Sequence, residues 1–216
     1  MCRGLKRPIH RIWLGGGEIP EQFLRWGEKI EELNPECELK LWTEKELKGS
    51  GLWRDNLKLE RFPLSVQSDF YRGMILKMYG GLYLDMDIEP VKEFPAEFWR
   101  YEIVLGVENL HKGMFGSAVI FSEPGSRWTD DFLSGIVANV EAYSGGEVNP
   151  PEFSGPGVLT RTVMPLLSRV RVLALGREYF YPVGYWEKEK LQSIGTLSEN
   201  TCCVHHWCAS WNSEEK

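Results

Sequence analysis

Asp85 and Asp87 stand two residues apart at the end of an extended apolar run, Leu82-Tyr83-Leu84. Strand geometry would send both carboxylates the same way. Two carboxylates aimed at one point repel strongly unless a cation or a shared proton intervenes. A divalent ion with oxygen ligands is the natural counter-charge, and a diphosphate would complete its coordination shell. Asp69 and Arg72 lie three residues apart on the preceding helical segment and so share a face. Together they offer an acceptor for hydroxyls and a fork for an anion. The plainer alternative is a turn ahead of Pro90 and a surface ion pair, because an isolated Asp-x-Asp occurs often by chance. Here Ser68, Asp69 and Arg72, the Gly80-Gly81 pair and the two aspartates form one compound pattern.

The elements that must position these groups are readable from periodicity. Ile9 to Leu14 predicts a short buried strand that stops at Gly15, Gly16 and Gly17. Pro20 opens a helix to about Leu33 with Phe23, Trp26, Ile30 and Leu33 on one face. Leu39, Leu41 and Thr43 alternate as a second strand, and Thr43 with Glu46 forms a capping box for a short acidic helix. The strongest helix is Leu64 to Tyr79, where Val66, Phe70, Met74, Ile75 and Met78 make an apolar stripe and Gly80 supplies a left-handed cap. Ile103 to Leu105 and Ala118 to Phe121 predict strands. Ser126 to Tyr143 and Gly157 to Ser168 predict helices. Strands alternating with helices indicate an α/β layered domain.

The 216 residues, 43% hydrophobic, suffice for one domain with a continuous core and exclude disorder. No apolar run is long enough to cross a bilayer, and no apolar stretch follows Arg3, Lys6 and Arg7 to make a signal peptide, so a cytoplasmic protein is the expectation. A formal charge of −6 argues against a nucleic-acid surface. Five cysteines, an odd number, do not suggest a disulfide framework. Peripheral membrane contact through Trp-rich loops lacks an amphipathic basic helix to support it.

The segment PLSVQSDFYRGMILKMYGGLYLDMDIEP resembles the sugar-binding region with the DXD motif of a glycosyltransferase family that includes initiating α-mannosyltransferases and capsular polysaccharide transferases. The large clostridial glucosylating toxins are more distantly similar. Further matching pieces are PIHRIWLGGGEIP at Pro8 to Pro20, SGPGVLT at Ser154 to Thr160 and VHHWCASW at Val204 to Trp211. The resemblance implies a GT-A fold in a single domain over residues 1–216, with a mixed, mainly parallel sheet flanked by helices. It implies a UDP- or GDP-linked sugar donor, manganese or magnesium, and retaining transfer of a hexose or N-acetylhexosamine to a glycan, glycolipid or protein acceptor. It also implies residue roles: Asp87 ligates the metal, Asp85 touches ribose or sugar as well as the ion's waters, and Asp69 and Arg72 hold sugar hydroxyls and phosphate. Trp13 would lie on the nucleobase, while its neighbours His10 and Ile12 are expected in the core. His205 or His206 would complete the metal shell or contact phosphate, with Ser210 and Trp211 nearby.

Three other readings remain. Strand alternation alone would turn one of His205 and His206 inward and the other out. Cys202, Cys203 and Cys208 beside the histidines raise a zinc site, but the second spaced ligand pair that zinc sites use is missing. Gly155 and Gly157 could let backbone approach a ligand, or could simply open a helix capped by Ser154. Rival functions are a non-catalytic sugar-nucleotide or glycan binding module and a phosphatase with Asp85 as nucleophile and Asp87 as acid. The phosphatase pattern expects Thr or Val where Glu89 stands.

Overall fold

The computed structural model describes residues 6–208, so Ser210 and Trp211 lie outside the described residues. The chain order is β1 (Arg7–Ile12), α1 (Glu21–Leu33), β2 (Cys37–Trp42), α2 (Glu44–Gly49), α3 (Leu64–Tyr79), β3 (Gly81–Leu84) and β4 (Ile88–Pro90). It continues with β5 (Ile103–Asn109), β6 (Met114–Ser122), α4 (Arg127–Ala142), α5 (Pro150–Phe153), α6 (Pro156–Val163), β7 (Val172–Leu175) and β8 (Cys203–His205). Six strands form one sheet in the order β2-β1-β3-β6-β5-β7, and β4 pairs with β8 in a separate two-stranded sheet. β1 runs parallel to β2 and β3, and β5 parallel to β7, while β6 is antiparallel to β3 and β5. The expected mixed, mainly parallel sheet with flanking helices is what forms.

One apolar cluster, around Trp42, Val66, Phe70, Ile75, Trp128, Phe132 and Leu159, joins the sheet to α3, α4 and α6. A second lies around Ile9, Leu82, Leu84, Phe98, Val104, Phe121 and Tyr181. Parallel strands covered on both faces read as near-continuous apolar runs, as GLYL at β3 does, and all four of its residues are buried. His10 is a fully satisfied core residue: its Nε2–H donates to Gly80 O at 2.9 Å and Trp42 Nε1–H donates to its Nδ1 at 3.1 Å. Burial pushes its pKa down to about 4, which keeps it neutral.

Two expectations are corrected by packing. Met78, placed on the apolar stripe of α3, is 59% exposed, whereas Tyr71, Arg72 and Leu76 are buried. The reason is that α3 contacts the sheet and α4 as well as α5, so it is covered around most of its circumference. Gly80 does end α3 with φ +60°, but its ψ of −155° is not the left-handed helical value; it lies in a region open almost only to glycine. Gly81 follows with φ +95°, and a Cβ there would come within 2.4 Å of Pro8 O. These two glycines turn the chain from α3 directly into the centre of the sheet. Gly81→Ala is expected to cost about 3 kcal/mol through backbone strain and overpacking. Urea denaturation measures it, and a loss below about 1 kcal/mol would contradict this account.

Candidate active site

β3 leaves the sheet between its neighbours β1 and β6, and Asp85 N–H still donates to Ala118 O at 2.9 Å. The chain then turns over Met86, closed by Ile88 N–H to Asp85 O at 3.2 Å, and enters β4. Asp85 and Asp87 therefore sit at the two ends of a tight turn at the strand exit. α3 brings Asp69 and Arg72 to the same place. Arg72 Nη2 lies 3.2 Å from Asp69 Oδ1 and 3.1 Å from Asp85 Oδ1. Its Nη1–H donates to Ser117 O on β6, and the guanidinium lies 4.5 Å from the centre of the Tyr83 ring. Tyr83 O–H in turn donates to Asp85 Oδ1 at 2.7 Å. Asp69 and Arg72 are thus not a surface pair but the buried hinge between α3 and the aspartate turn.

Ser154 does not cap α6. Its hydroxyl donates to Asp69 Oδ2 at 2.6 Å, and Gly155 takes the cap position. A Cβ on Gly155 would stand 3.2 Å from Asp69 Oδ2, so the backbone of this loop passes close against the carboxylate. Burial pushes Asp69 up to about 6, against the opposing pull of Arg72 and Ser154. Burial works against the Arg72 charge as well, yet Asp85 and Asp69 hold its pKa above the ordinary value.

The pairing of β4 with β8 sets Ile88 opposite His205 and so carries a residue from near the end of the chain to the aspartate turn. His205 Nε2 lies 3.2 Å from Asp87 Oδ1, while Cys208 N–H donates to Asp87 Oδ2 at 2.8 Å. The His205 contact is close but not aligned as a hydrogen bond, and both ring nitrogens are buried without a hydrogen-bond partner. Despite burial, which opposes each charge, attraction between them lowers the pKa of Asp87 and raises that of His205. One ligand atom from each of Asp85, Asp87 and His205 falls within 4.8 Å of the others. A buried imidazole with unused nitrogens beside two carboxylates is a donor set that fits a divalent cation.

His206 points elsewhere. Its Nε2 is 2.8 Å from Glu89 Oε2 and its ring packs 4.6 Å from that of Trp26. Successive residues alternate here as in a strand, so of the two candidate histidines His205 faces the aspartates. The buried thiols of Cys202 and Cys203 have their pKa values pushed up by burial, to about 11 for Cys202, and among the described residues no cysteine joins a group placed to hold a metal ion. Trp13 is half-buried; its Nε1–H donates to Gly17 O at 2.7 Å and it packs with Phe23, Trp26 and Met86, beside the aspartate turn.

Three further residues carry no individual role in the sequence, although Trp207 lies within the matching piece VHHWCASW. Glu108, on an irregular stretch of β5, is raised to about 7 by burial, with His205 lowering it and Asp85 raising it. Trp207 adopts a left-handed φ of +54° and sets its ring 3.9 Å from that of His205. Arg11, on β1, is buried against the aspartate turn. A bulge near a site commonly re-aims a side chain, and a lone Glu after an apolar strand carries no such information in sequence.

Removing Arg72 would leave Asp69 and Asp85 buried without their cation. Arg72→Met is therefore expected to destabilise the fold by about 3–5 kcal/mol in urea denaturation. Asp69 also makes a pH signature. Its folded pKa of about 6 exceeds the ordinary 3.8, so the folded state binds the proton more tightly and stability falls as pH rises through that window. Asp69→Asn should remove this slope; a stability profile unchanged by the substitution between those pH values would contradict it.

Residues 20–105 match the family model described as the glycosyltransferase sugar-binding region containing DXD motif. The chain is 32% identical over 103 residues to mannosyl phosphorylinositol ceramide synthase SUR1 of Saccharomyces cerevisiae, which covers 43% of this chain and 26% of that relative. It therefore spans about a quarter of that protein's length. Among solved structures, the PaToxG glycosyltransferase superposes with a TM-score of 0.59 at 20% identity, over 76% of this chain and 70% of that one. The UDP-bound glycosyltransferase domain from the YGT toxin superposes with a TM-score of 0.56 at 9% identity, over 78% and 79%. At such identities the likeness concerns the fold, which is of the GT-A type. The part of the chain that matches the DXD glycosyltransferase sugar-binding region, residues 20–105, contains both α3 and the turn Asp85-Met86-Asp87.

Proposed function

We propose that the protein is a metal-dependent retaining glycosyltransferase that moves a hexose or N-acetylhexosamine from a nucleoside-diphosphate sugar to a hydroxyl acceptor. The observation that carries this reading is the convergence of Asp85, Asp87 and His205 beside the buried Arg72. The UDP-bound state of a structural neighbour supports a nucleotide donor, and the names of the mannosyl-transferring relatives support a hexose. Among the described residues no helix is long and apolar enough to cross a membrane. Glycan, glycolipid and protein acceptors are all compatible with the site.

Asp87, Asp85 and His205 would hold manganese or magnesium; His206, tied to Glu89, would support the turn from outside. The ion supplies Lewis-acid stabilisation of the leaving nucleoside diphosphate. The chain's own residues do the rest. Arg72 fixes Asp85 and adds positive charge on the side where negative charge grows in the transition state. Asp69, held by Ser154 and Arg72, receives sugar hydroxyls at the Gly155 loop. Trp13 offers a ring face to the nucleobase, and Ser210 and Trp211 are assigned to the diphosphate side. In this reading residues 1–216 act as a single catalytic unit.

A thermal-shift panel of UDP, GDP and their sugars, each with manganese or EDTA, tests the proposal. Nucleotide should stabilise the wild type only when manganese is present, and Asp87→Ala should abolish that shift. No metal-dependent shift with any nucleotide would sink the reading. Slow hydrolysis of the donor without acceptor would separate a transferase from a binding module. Phosphate release from p-nitrophenyl phosphate that survives Arg72→Ala would favour a phosphatase instead.

A further inference from the structure

Arg11 is 3% exposed, yet among the described residues no carboxylate lies within ion-pair distance of it. Its hydrogen bonds go to main-chain carbonyls: Nη1–H donates to Phe23 O at 2.8 Å and Nη2–H donates to Met86 O. Nε is buried with no partner. Burial pushes its pKa down to about 10, with Tyr83, Asp87 and Asp85 pulling the other way. A buried cation with no bonded counter-ion is costly, and an apolar side chain would fill the space between β1 and α1 without that cost. The helix also yields room for it, since a Cβ on Gly27 would stand 3.0 Å from Arg11 Nη1. What the guanidinium does that no apolar residue could do is grip two carbonyls at once with a rigid fork. One of those carbonyls belongs to Met86, the residue between the two aspartates.

We propose that Arg11 is a positioning residue for the aspartate turn: by clamping Met86 O to α1 through Phe23 O, it holds the backbone so that Asp85 and Asp87 converge on one point. The inference rests on the metal-site reading of that turn. Arg11 touches neither donor nor acceptor; it acts through the backbone of the turn. A competing role, that of a mere counter-charge to the acidic pair, makes the opposite forecast. Deleting a positive charge beside a cation site strengthens ion binding by Coulomb's law, whereas deleting a clamp weakens it.

The test is manganese affinity, read from the electron paramagnetic resonance signal of the free ion, with amide hydrogen exchange of the metal-free protein at Ile88. Arg11→Met should weaken manganese binding at least ten-fold and speed exchange at Ile88, whose N–H closes the turn on Asp85 O. Arg11→Lys keeps the charge but loses the fork, and should fall between wild type and Arg11→Met. Should Arg11→Met fail to fold, Gly27→Ala leaves the charge in place and crowds Nη1; it should weaken manganese binding several-fold. Tighter or unchanged manganese binding in the folded variants would overturn the clamp. Wild type that binds no manganese would overturn the function proposed above, and the clamp would then be judged on Ile88 exchange alone, where an unchanged rate rejects it.

Discussion

A guanidinium buried between two carboxylates from different elements is the constraint around which this molecule is arranged. Arg72 on α3 reaches Asp69 on its own helix and Asp85 beyond β3 through Nη2, while Nη1 is satisfied by the main chain of β6. Such a group tolerates little displacement, because each lost partner leaves a charge uncompensated in a medium of low polarisability. The rest of the helix follows from that demand. Gly73, the next residue, allows α4 to approach so closely that a Cβ would lie 3.0 Å from Leu133 Cδ2. Gly80 and Gly81 then let the chain enter the sheet without a linker that would loosen the geometry.

The electrostatics of the site differ from those of the whole chain. The formal charge of −6 suggests poor affinity for phosphates, but the guanidinium groups of Arg11 and Arg72 are buried beside the turn. Local fields from fixed, desolvated cations outweigh a diffuse surface excess of opposite sign, since the surface charges are screened by solvent. Acidic composition is therefore compatible with the diphosphate site proposed here.

Much of the fold was legible in the sequence where short-range rules decide it. The helix from Leu64 to Tyr79 has the bounds its periodicity and flanking glycines indicate, and Thr43 caps α2 with Glu46 as its spacing requires. The positions of Asp85 and Asp87 at a strand exit were equally plain. What was not legible depends on contacts between distant segments. Which of His205 and His206 faces the aspartates is decided by the register of β8 on β4, a pairing across more than a hundred residues. Ser154 looked like a cap because its sequence neighbours fit one, yet a stronger acceptor, Asp69, lies within reach in space. Arg11 resembles any charged residue interrupting a strand pattern, and nothing local says that its partners are carbonyls on two other elements.

The small sheet of β4 and β8 also has a consequence in time. It joins residues 88–90 to residues 203–205, and through it the imidazole of His205 reaches carboxylates already placed by the larger sheet. Contacts of such sequence separation form slowly, because a long loop must close before they are rewarded. During synthesis the large sheet and its helices can assemble around Asp85 and Asp87 well before His205 leaves the ribosome. The aspartate pair therefore exists for a while without its imidazole. The cluster of Asp85, Asp87 and His205 is therefore completed only once β8 has been made and paired, later than the large sheet that places the two aspartates.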